Sequence, residues 1–281
     1  MTLMEQLEEI CAHFDGRIGL CAQNLQTNES IAINSETVFP TASVIKLPVL
    51  ITMMQQIESG QYSLDDSIMR RRADQIGGSG ILQNLSPGLV MPIRDWAFLM
   101  MNISDNLATN VLIDHVGLNK VQEWLHKNDY TDVQIHRKIN FDALAKNQKD
   151  LGTATPAGLT RMITAVFRRE LVSATACDEM MRTMDKVGSE RIGRYLPFNP
   201  YGELEEENNK LHLAGKTGSL RGVRAQTAVV WRGAWQEQNG FSITVMTDGN
   251  PEPETWSPDA PGTLVIGRVA RTIYDEVFPE K

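Results

Sequence analysis

Pro40-Thr41-Ala42-Ser43-Val44-Ile45-Lys46-Leu47-Pro48-Val49 is the point at which this chain changes character. Before it, apolar residues come in short runs separated by turn-forming residues; after it, they recur at helical spacing. Ser43 opens the apolar helical run, so its hydroxyl is expected at a helix N-terminus, where amide N–H groups and the macrodipole favour negative charge. Lys46 is one turn further on the same helix face. Flanked by Ile45, Leu47 and Val49, its amine is expected to be partly desolvated, which lowers its pKa. A plainer alternative is open here: a capping serine and a surface lysine with a snorkelling stem.

On the N-terminal side, residues 1–15 have an amphipathic helical spacing, with Leu3, Leu7, Ile10, Cys11 and Phe14 between Glu5, Glu8 and Glu9. They lack the basic start of a signal peptide. Arg17 to Leu25 and Ser30 to Asn34 read as a β-hairpin. On the C-terminal side, helical periodicity predicts helices near 43–59, 92–102, 105–115, 118–127, 156–169 and 174–186. Arg224 to Trp231 and Phe241 to Asp248, rich in Val, Ile and Thr, read as strands. A last helix over Leu264 to Phe278 places Val265, Val269, Ile273 and Val277 on one stripe.

Strands, then helices, then strands predict an α/β (α+β) fold: an antiparallel sheet flanked by helices, with an all-helical domain inserted. The expected division is 1–42 with 211–281 for the sheet and terminal helices, and 43–210 for the mainly helical part. The cleft between them is the expected active site.

The 281 residues, 42% hydrophobic, suffice for a large core and exclude a disordered or fibrous chain. A net charge of −8 with no long Lys/Arg-rich tract argues against nucleic acid or an anionic membrane, and for a small-molecule substrate. No run of 18 apolar residues occurs. A soluble, cytoplasmic protein is the expectation. The 3 cysteines, Cys11, Cys21 and Cys177, have no CxxC spacing, and the 5 histidines form no HExxH pair, so neither metal nor cofactor is expected. Glu203 to Glu207 reads as a solvated loop.

Two further motifs follow Ser43-Val-Ile-Lys46 in order: Ser104-Asp105-Asn106 and Lys216-Thr217-Gly218. Each has a structural alternative. The first is an N-cap signature, and a basic residue before a strand is ordinarily structural. Together, in this order, the three motifs resemble those of the class A β-lactamases and the serine hydrolases that share their fold. Gly78 to Leu82 and Arg191 to Pro197 extend the resemblance over nearly the whole chain.

The resemblance implies a five-stranded β-lactamase-like sheet and an acyl-enzyme formed on Ser43. Ser104 would relay a proton to the leaving nitrogen. Asn106 would contact Lys46 and the substrate amide. Lys216 and Thr217, on a strand edging the cleft, would bind a substrate carboxylate beside Gly218 and Ser219. The N–H groups of Ser43 and Ser219 would form the oxyanion hole, where one donor is typically worth about 3 kcal/mol. Arg221 or Arg224 would complete the anion site.

One expected group is missing. The family carries Arg-x-Glu-x-x-Leu-Asn before a Thr-Pro helix start, and its Glu activates the deacylating water. Here the stretch is Arg137-Lys-Ile-Asn-Phe-Asp142, upstream of Thr155-Pro156, with Ile139 in place of the Glu; no glutamate occurs between Glu123 and Glu170. General-base assistance contributes roughly 10²–10⁴-fold, so acylation is expected to outpace release. Asp142 is the local substitute base; Asp150 reads rather as a partner for Arg137 at the loop neck. The readings are therefore a β-lactamase-like hydrolase with weak or altered deacylation, a hydrolase of a D-alanyl peptide or other ester or amide, or a penicillin-binding sensor that traps an acyl group.

Overall fold

The structure is a computed structural model that describes residues 1–185, 190–197, 199 and 210–279. The helices among these are α1 (Leu3–Ala12), α2 (Lys46–Glu58), α3 (Ile93–Asn102), α4 (Asn106–Val116), α5 (Leu118–Lys127), α6 (Phe141–Lys146), α7 (Pro156–Phe167), α8 (Ala174–Met184) and α9 (Pro261–Val277). The strands are β1 (Arg17–Asn24), β2 (Ser30–Ile33), β3 (Phe39–Pro40), β4 (Ser67–Met69), β5 (Val90–Pro92), β6 (Val133–Ile135), β7 (Gly152–Ala154), β8 (Leu211–Leu220), β9 (Val223–Arg232) and β10 (Gly240–Asp248). The acidic stretch Glu203 to Glu207, and Lys186 at the end of the predicted 174–186 helix, lie outside the described residues.

The predicted hairpin is β1 and β2, and the two predicted late strands are β9 and β10. The five-stranded sheet has the order β2-β1-β10-β9-β8, with each neighbouring pair antiparallel. β8 is the strand that the apolar pattern leaves undefined, because Gly215, Lys216, Thr217 and Gly218 interrupt it. Register rather than composition makes it a strand: Lys216 lies opposite Thr227 and Gly218 opposite Ala225.

Side-chain alternation assigns the two faces. Ile18, Leu20 and Ala22 of β1 and Ile243 and Val245 of β10 pack against Leu7 of α1 and Val265, Val269 and Ile273 of α9. Residues 1–15 are thereby built into the sheet's own core. The opposite face, with Ala225, Val229 and Met246, joins the larger helical core around Leu50, Trp96, Leu112 and Met180.

Helix α7 lies across β1, β9 and β10. It is seated partly by hydroxyl contacts, Thr164 with Ser242 at 2.6 Å and Thr160 donating to the Cys21 carbonyl at 3.0 Å. Thus α7 belongs by sequence to the middle stretch but by packing to the sheet. Its start is the expected Thr-Pro: Thr155 Oγ1 accepts from the Gly158 N–H at 3.0 Å and Pro156 follows at the first turn.

The small sheet β3-β7-β6 ties residues 39–40 to the segment between α5 and α7. It braces the backbone just ahead of Ser43, with Thr41 donating to the Gly152 carbonyl at 3.1 Å. Across the front, β8 packs on residues 42–45. Gly218 allows this: a Cβ there would lie 2.8 Å from the Thr41 carbonyl oxygen and 3.0 Å from the Ser43 nitrogen.

No described helix is long and apolar enough to cross a membrane. Cys11, Cys21 and Cys177 are free thiols, and only Cys177 is buried.

Candidate active site

Ser43 sits on a 3-10 turn, Ala42–Ile45, that runs directly into α2. The residue before the turn, Thr41, makes no side-chain capping bond. Ala42 has φ +46°, the left-handed region that a residue with a Cβ enters at a cost of about 1–2 kcal/mol. Such strain persists only where the surroundings fix it. Here those surroundings are β7 behind and Gly218 in front.

Lys46 is fully buried, so the surface-lysine alternative does not hold. Its Nζ donates to the Ser104 Oγ at 2.9 Å, the Ser104 carbonyl at 2.9 Å and Asn106 Oδ1 at 3.4 Å. Burial lowers its pKa to about 7, against a smaller opposing effect of Asp105. Asn106 Nδ2 donates to the Gly77 carbonyl at 3.1 Å, which links the 77–80 loop to the same cluster.

The N-cap reading of Ser104-Asp105-Asn106 is correct for its middle residue. Asp105 Oδ1 accepts from the N–H groups of Leu107 and Ala108, both at 3.0 Å, and Oδ2 accepts from Ile81 at 2.8 Å and Leu82 at 2.9 Å. This division of labour leaves the Ser104 and Asn106 side chains facing Lys46. Ser104 is itself left-handed, at φ +55°. A Cβ on Gly80 would lie 2.2 Å from the Asp105 carboxylate, and its φ is +103°, so only glycine suits that loop position.

Lys216, on β8, is fully buried and donates to the Thr217 carbonyl at 2.9 Å. Burial, followed by repulsion from Lys46 and Arg191, holds its pKa well below the usual lysine range. Thr217, Gly218 and Ser219 follow along this edge strand, beside the Ser43 turn.

The two arginines singled out from sequence are committed elsewhere. Arg221 pairs with Glu254 on the surface. Arg224 is buried, donates to the carbonyls of Leu220, Val223 and Thr255, and stacks on Trp256 with its guanidinium carbon 5.0 Å from the ring centre. Arg191 instead reaches the motif. Its Nη2 donates to the Ser219 Oγ at 2.6 Å, and its Nη1 to the carbonyls of Gly218 at 2.7 Å and Ala225 at 2.6 Å. Burial pushes its pKa down to about 10, which leaves it charged at neutral pH. In the sequence Arg191 only opens the stretch Arg191 to Pro197, with no motif that marks its role. Arg221 and Arg224 are nearer to Lys216 along the chain, yet Arg191 is the arginine whose side chain bonds Ser219.

In front of Ser43 opens a cleft of about 480 Å³. Ser43, Ser79, Asn106 and Ser219 supply its polar side chains; Ile139, Phe141, Leu144, Leu151, Leu220 and Trp256 supply its apolar ones. Ile139 thus stands on the wall of the Ser43 cleft, and no carboxylate among the described residues lines it. Asp142 is exposed and lines a neighbouring depression with Arg71, Asp74 and Lys138 instead. Asp150 approaches Arg137 at 3.8 Å, at the neck of the loop as expected. Among the described residues no group of three or more His, Cys, Asp or Glu is gathered to hold a metal ion.

A sequence model of the beta-lactamase enzyme family, Beta-lactamase2, matches residues 2–277. The chain belongs to that family. It is 25% identical over 235 residues to beta-lactamase VEB-1 of Pseudomonas aeruginosa, spanning 80% of this chain and 75% of that one. The beta-lactamase of Sphaerobacter thermophilus superposes with a TM-score of 0.84 at 26% identity, covering 99% of this chain and 98% of the other. A mutant of PBP-A, solved as an acyl-enzyme complex with penicillin G, shares the fold at a TM-score of 0.81 and 21% identity, covering 98% of this chain and 95% of its own. Membership of the beta-lactamase family supports a serine hydrolase of beta-lactamase type.

Proposed function

We propose that this beta-lactamase family member acylates Ser43 with a lactam, amide or ester that bears a carboxylate, and that it releases the acyl group slowly. In this reading the reaction takes place between the sheet with its terminal helices (1–42 and 211–281) and the mainly helical stretch (43–210).

Lys46, neutral in a large fraction of molecules near pH 7, takes the Ser43 hydroxyl proton as Oγ bonds to the substrate carbonyl carbon. The carbonyl electron pair moves to oxygen, where the N–H groups of Ser43 and Ser219 receive it. As the C=O bond re-forms, the bond to the leaving nitrogen or oxygen breaks, and the proton passes from Lys46 through the Ser104 hydroxyl to the leaving atom. Asn106 holds the lysine and the substrate amide. Thr217, Ser219 and Lys216 hold the carboxylate, and Arg191, through Ser219, supplies the positive charge that neither Arg221 nor Arg224 directs there.

The observation that carries the reading is the buried Lys46 amine, bonded to Ser104 and Asn106 with its pKa lowered to about 7. Slow release rests on Ile139: the described cleft wall, without a carboxylate, offers no base to a hydrolytic water. The same wall favours, as second reading, a sensor or trap that does not turn over.

The test is intact-protein mass spectrometry after brief exposure to a penicillin and a chromogenic cephalosporin, with hydrolysis followed in the same tube and Ser43→Ala alongside. A persistent adduct on the wild type alone supports slow release. Rapid hydrolysis without an adduct, lost in Ser43→Ala, would make the protein an efficient beta-lactamase. Hydrolysis undiminished in Ser43→Ala would sink the proposed nucleophile.

A further inference from the structure

We infer that the cleft selects acyl donors whose acyl side carries an extended apolar group, an alkanoyl chain of several carbons or an arylalkanoyl group, over donors with polar or charged acyl side chains. This deepens the proposed acylation of Ser43 and rests on it.

The cleft is far larger than the reacting bond requires. At about 480 Å³ it falls within the range of sites that enclose a drug-sized ligand. Its polar side chains are those of Ser43, Ser79, Asn106 and Ser219, and two of them already bond within the protein. Asn106 accepts from Lys46 and gives one of its two amide N–H groups to Gly77, which leaves the other for the substrate amide, and Ser219 accepts from Arg191, which leaves its own O–H for the substrate carboxylate. Beyond them the wall is hydrocarbon or aromatic, and no charged side chain among the described residues lines the space. A peptide acyl group with a free amine or carboxylate would lose its water there without gaining a charged partner, which disfavours it. An alkyl or aryl group gains by the same burial.

The apolar wall is preformed. Ile139 is held at its backbone by Asn110, which accepts its N–H at 2.8 Å and donates to its carbonyl at 3.0 Å. Phe141 begins α6, which Asn140 caps through the Ala143 N–H at 3.0 Å, and it rests against Gly78, where a Cβ would come within 2.7 Å of the ring. Trp256 is backed by Arg224, itself anchored to the Thr255 carbonyl. Yet Trp256 is 57% exposed and Phe141 45% exposed at the rim. Large aromatic surface held rigid and open beside a candidate nucleophile is surface that a ligand covers on binding.

The experiment uses two series on the full chain. The first is 6-aminopenicillanic acid acylated at its amine with acetyl, butanoyl, hexanoyl, phenylacetyl or α-aminoadipoyl groups, with Ser43 adduct formation timed by intact mass. The second is p-nitrophenyl acetate, butanoate, hexanoate and octanoate, followed by p-nitrophenolate release. Acylation efficiency is expected to rise roughly 2- to 4-fold per methylene up to hexanoyl, from the free energy of burying a CH₂ group, with the α-aminoadipoyl compound at least about 10-fold slower than hexanoyl. In Trp256→Ala, whose altered side chain is mostly solvent-exposed, the slope along each series is expected to fall at an unchanged melting temperature.

A flat series, or α-aminoadipoyl fastest, overturns the apolar preference while leaving Ser43 acylation standing. An unchanged slope in Trp256→Ala overturns the role of that wall. No adduct and no phenolate from any member overturns this inference together with the acylation on which it rests.

Discussion

Asn110 on α4 grips Ile139 from both sides of its peptide unit, donating to its carbonyl at 3.0 Å and accepting its N–H at 2.8 Å. That pair of bonds fixes an isoleucine on the wall of the Ser43 cleft, where the resemblance to class A β-lactamases called for a glutamate.

Ile139→Glu is therefore expected to shorten the lifetime of a penicilloyl adduct by about 10²-fold or more, the usual scale of general-base assistance. Decay of the adduct mass after excess penicillin is removed measures it. Ile139→Gln, equally polar but without a base, separates proton abstraction from a mere opening of the wall. Equal acceleration in both variants would count against a missing base as the cause of slow release.

The rate of acylation is expected to rise with pH through an ascending limb centred near 7, because Lys46 must be neutral to accept the Ser43 proton and burial lowers its pKa to about 7. Stopped-flow or quenched mass measurements between pH 5.5 and 8.5, chosen as roughly 1.5 units either side of that midpoint, give the profile. A rate independent of pH across this range would remove Lys46 as the base.

The same lysine ties stability to pH. Above about pH 7 the folded chain holds Lys46 neutral, while in the unfolded chain it stays protonated up to its ordinary value of 10.5. Unfolding therefore takes up a proton in that window, and stability is expected to increase as pH rises from 7 towards 10.5. Lys216, shifted in the same direction, adds to the trend. Urea unfolding at two pH values inside the window measures the slope, which Lys46→Met is expected to reduce.

Arg191 bonds Ser219 and two carbonyls of the β8–β9 pair, so Arg191→Ala is expected to weaken use of a carboxylate-bearing substrate by about 10- to 100-fold, the scale of one or two charge-assisted hydrogen bonds. The comparison is between a penicillin and its methyl ester. A selective loss for the free carboxylate supports an anion-site role, whereas an equal loss for both marks a role in holding the strand.

Asp105→Ala removes the acceptor of four buried or half-buried N–H groups, those of Leu107, Ala108, Ile81 and Leu82. A loss of at least about 2 kcal/mol is expected, because it combines a helix cap with two loop amides left unpaired. Denaturant midpoints test it, and Asp105→Asn, which keeps one acceptor oxygen, is expected to fall between.

The sequence by itself determined what short-range physics encodes. Periodicity located α2 to α5, α7 and α8, because amphipathic spacing and capping residues such as Asp105 and Thr155 act within one or two turns. Short apolar runs around a turn located β1 and β2, and enrichment in Val, Ile and Thr located β9 and β10, because turn signals and strand propensities are equally local, and the motifs, through the family resemblance, pointed to Ser43, Lys46, Ser104 and Asn106 as one cluster. Tertiary structure alone decided the rest. β8 became a strand because β9 supplies its hydrogen bonds and the Ser43 turn its packing, although six of its ten residues are glycine or polar. The left-handed φ of Ala42 and Ser104 is imposed by the backbone packed around them. Arg191, not Arg221 or Arg224, reaches Ser219, and Asp142 faces away from the cleft into its own depression. Distances of this kind depend on how far-separated segments close on one another, and spacing along the chain does not record them.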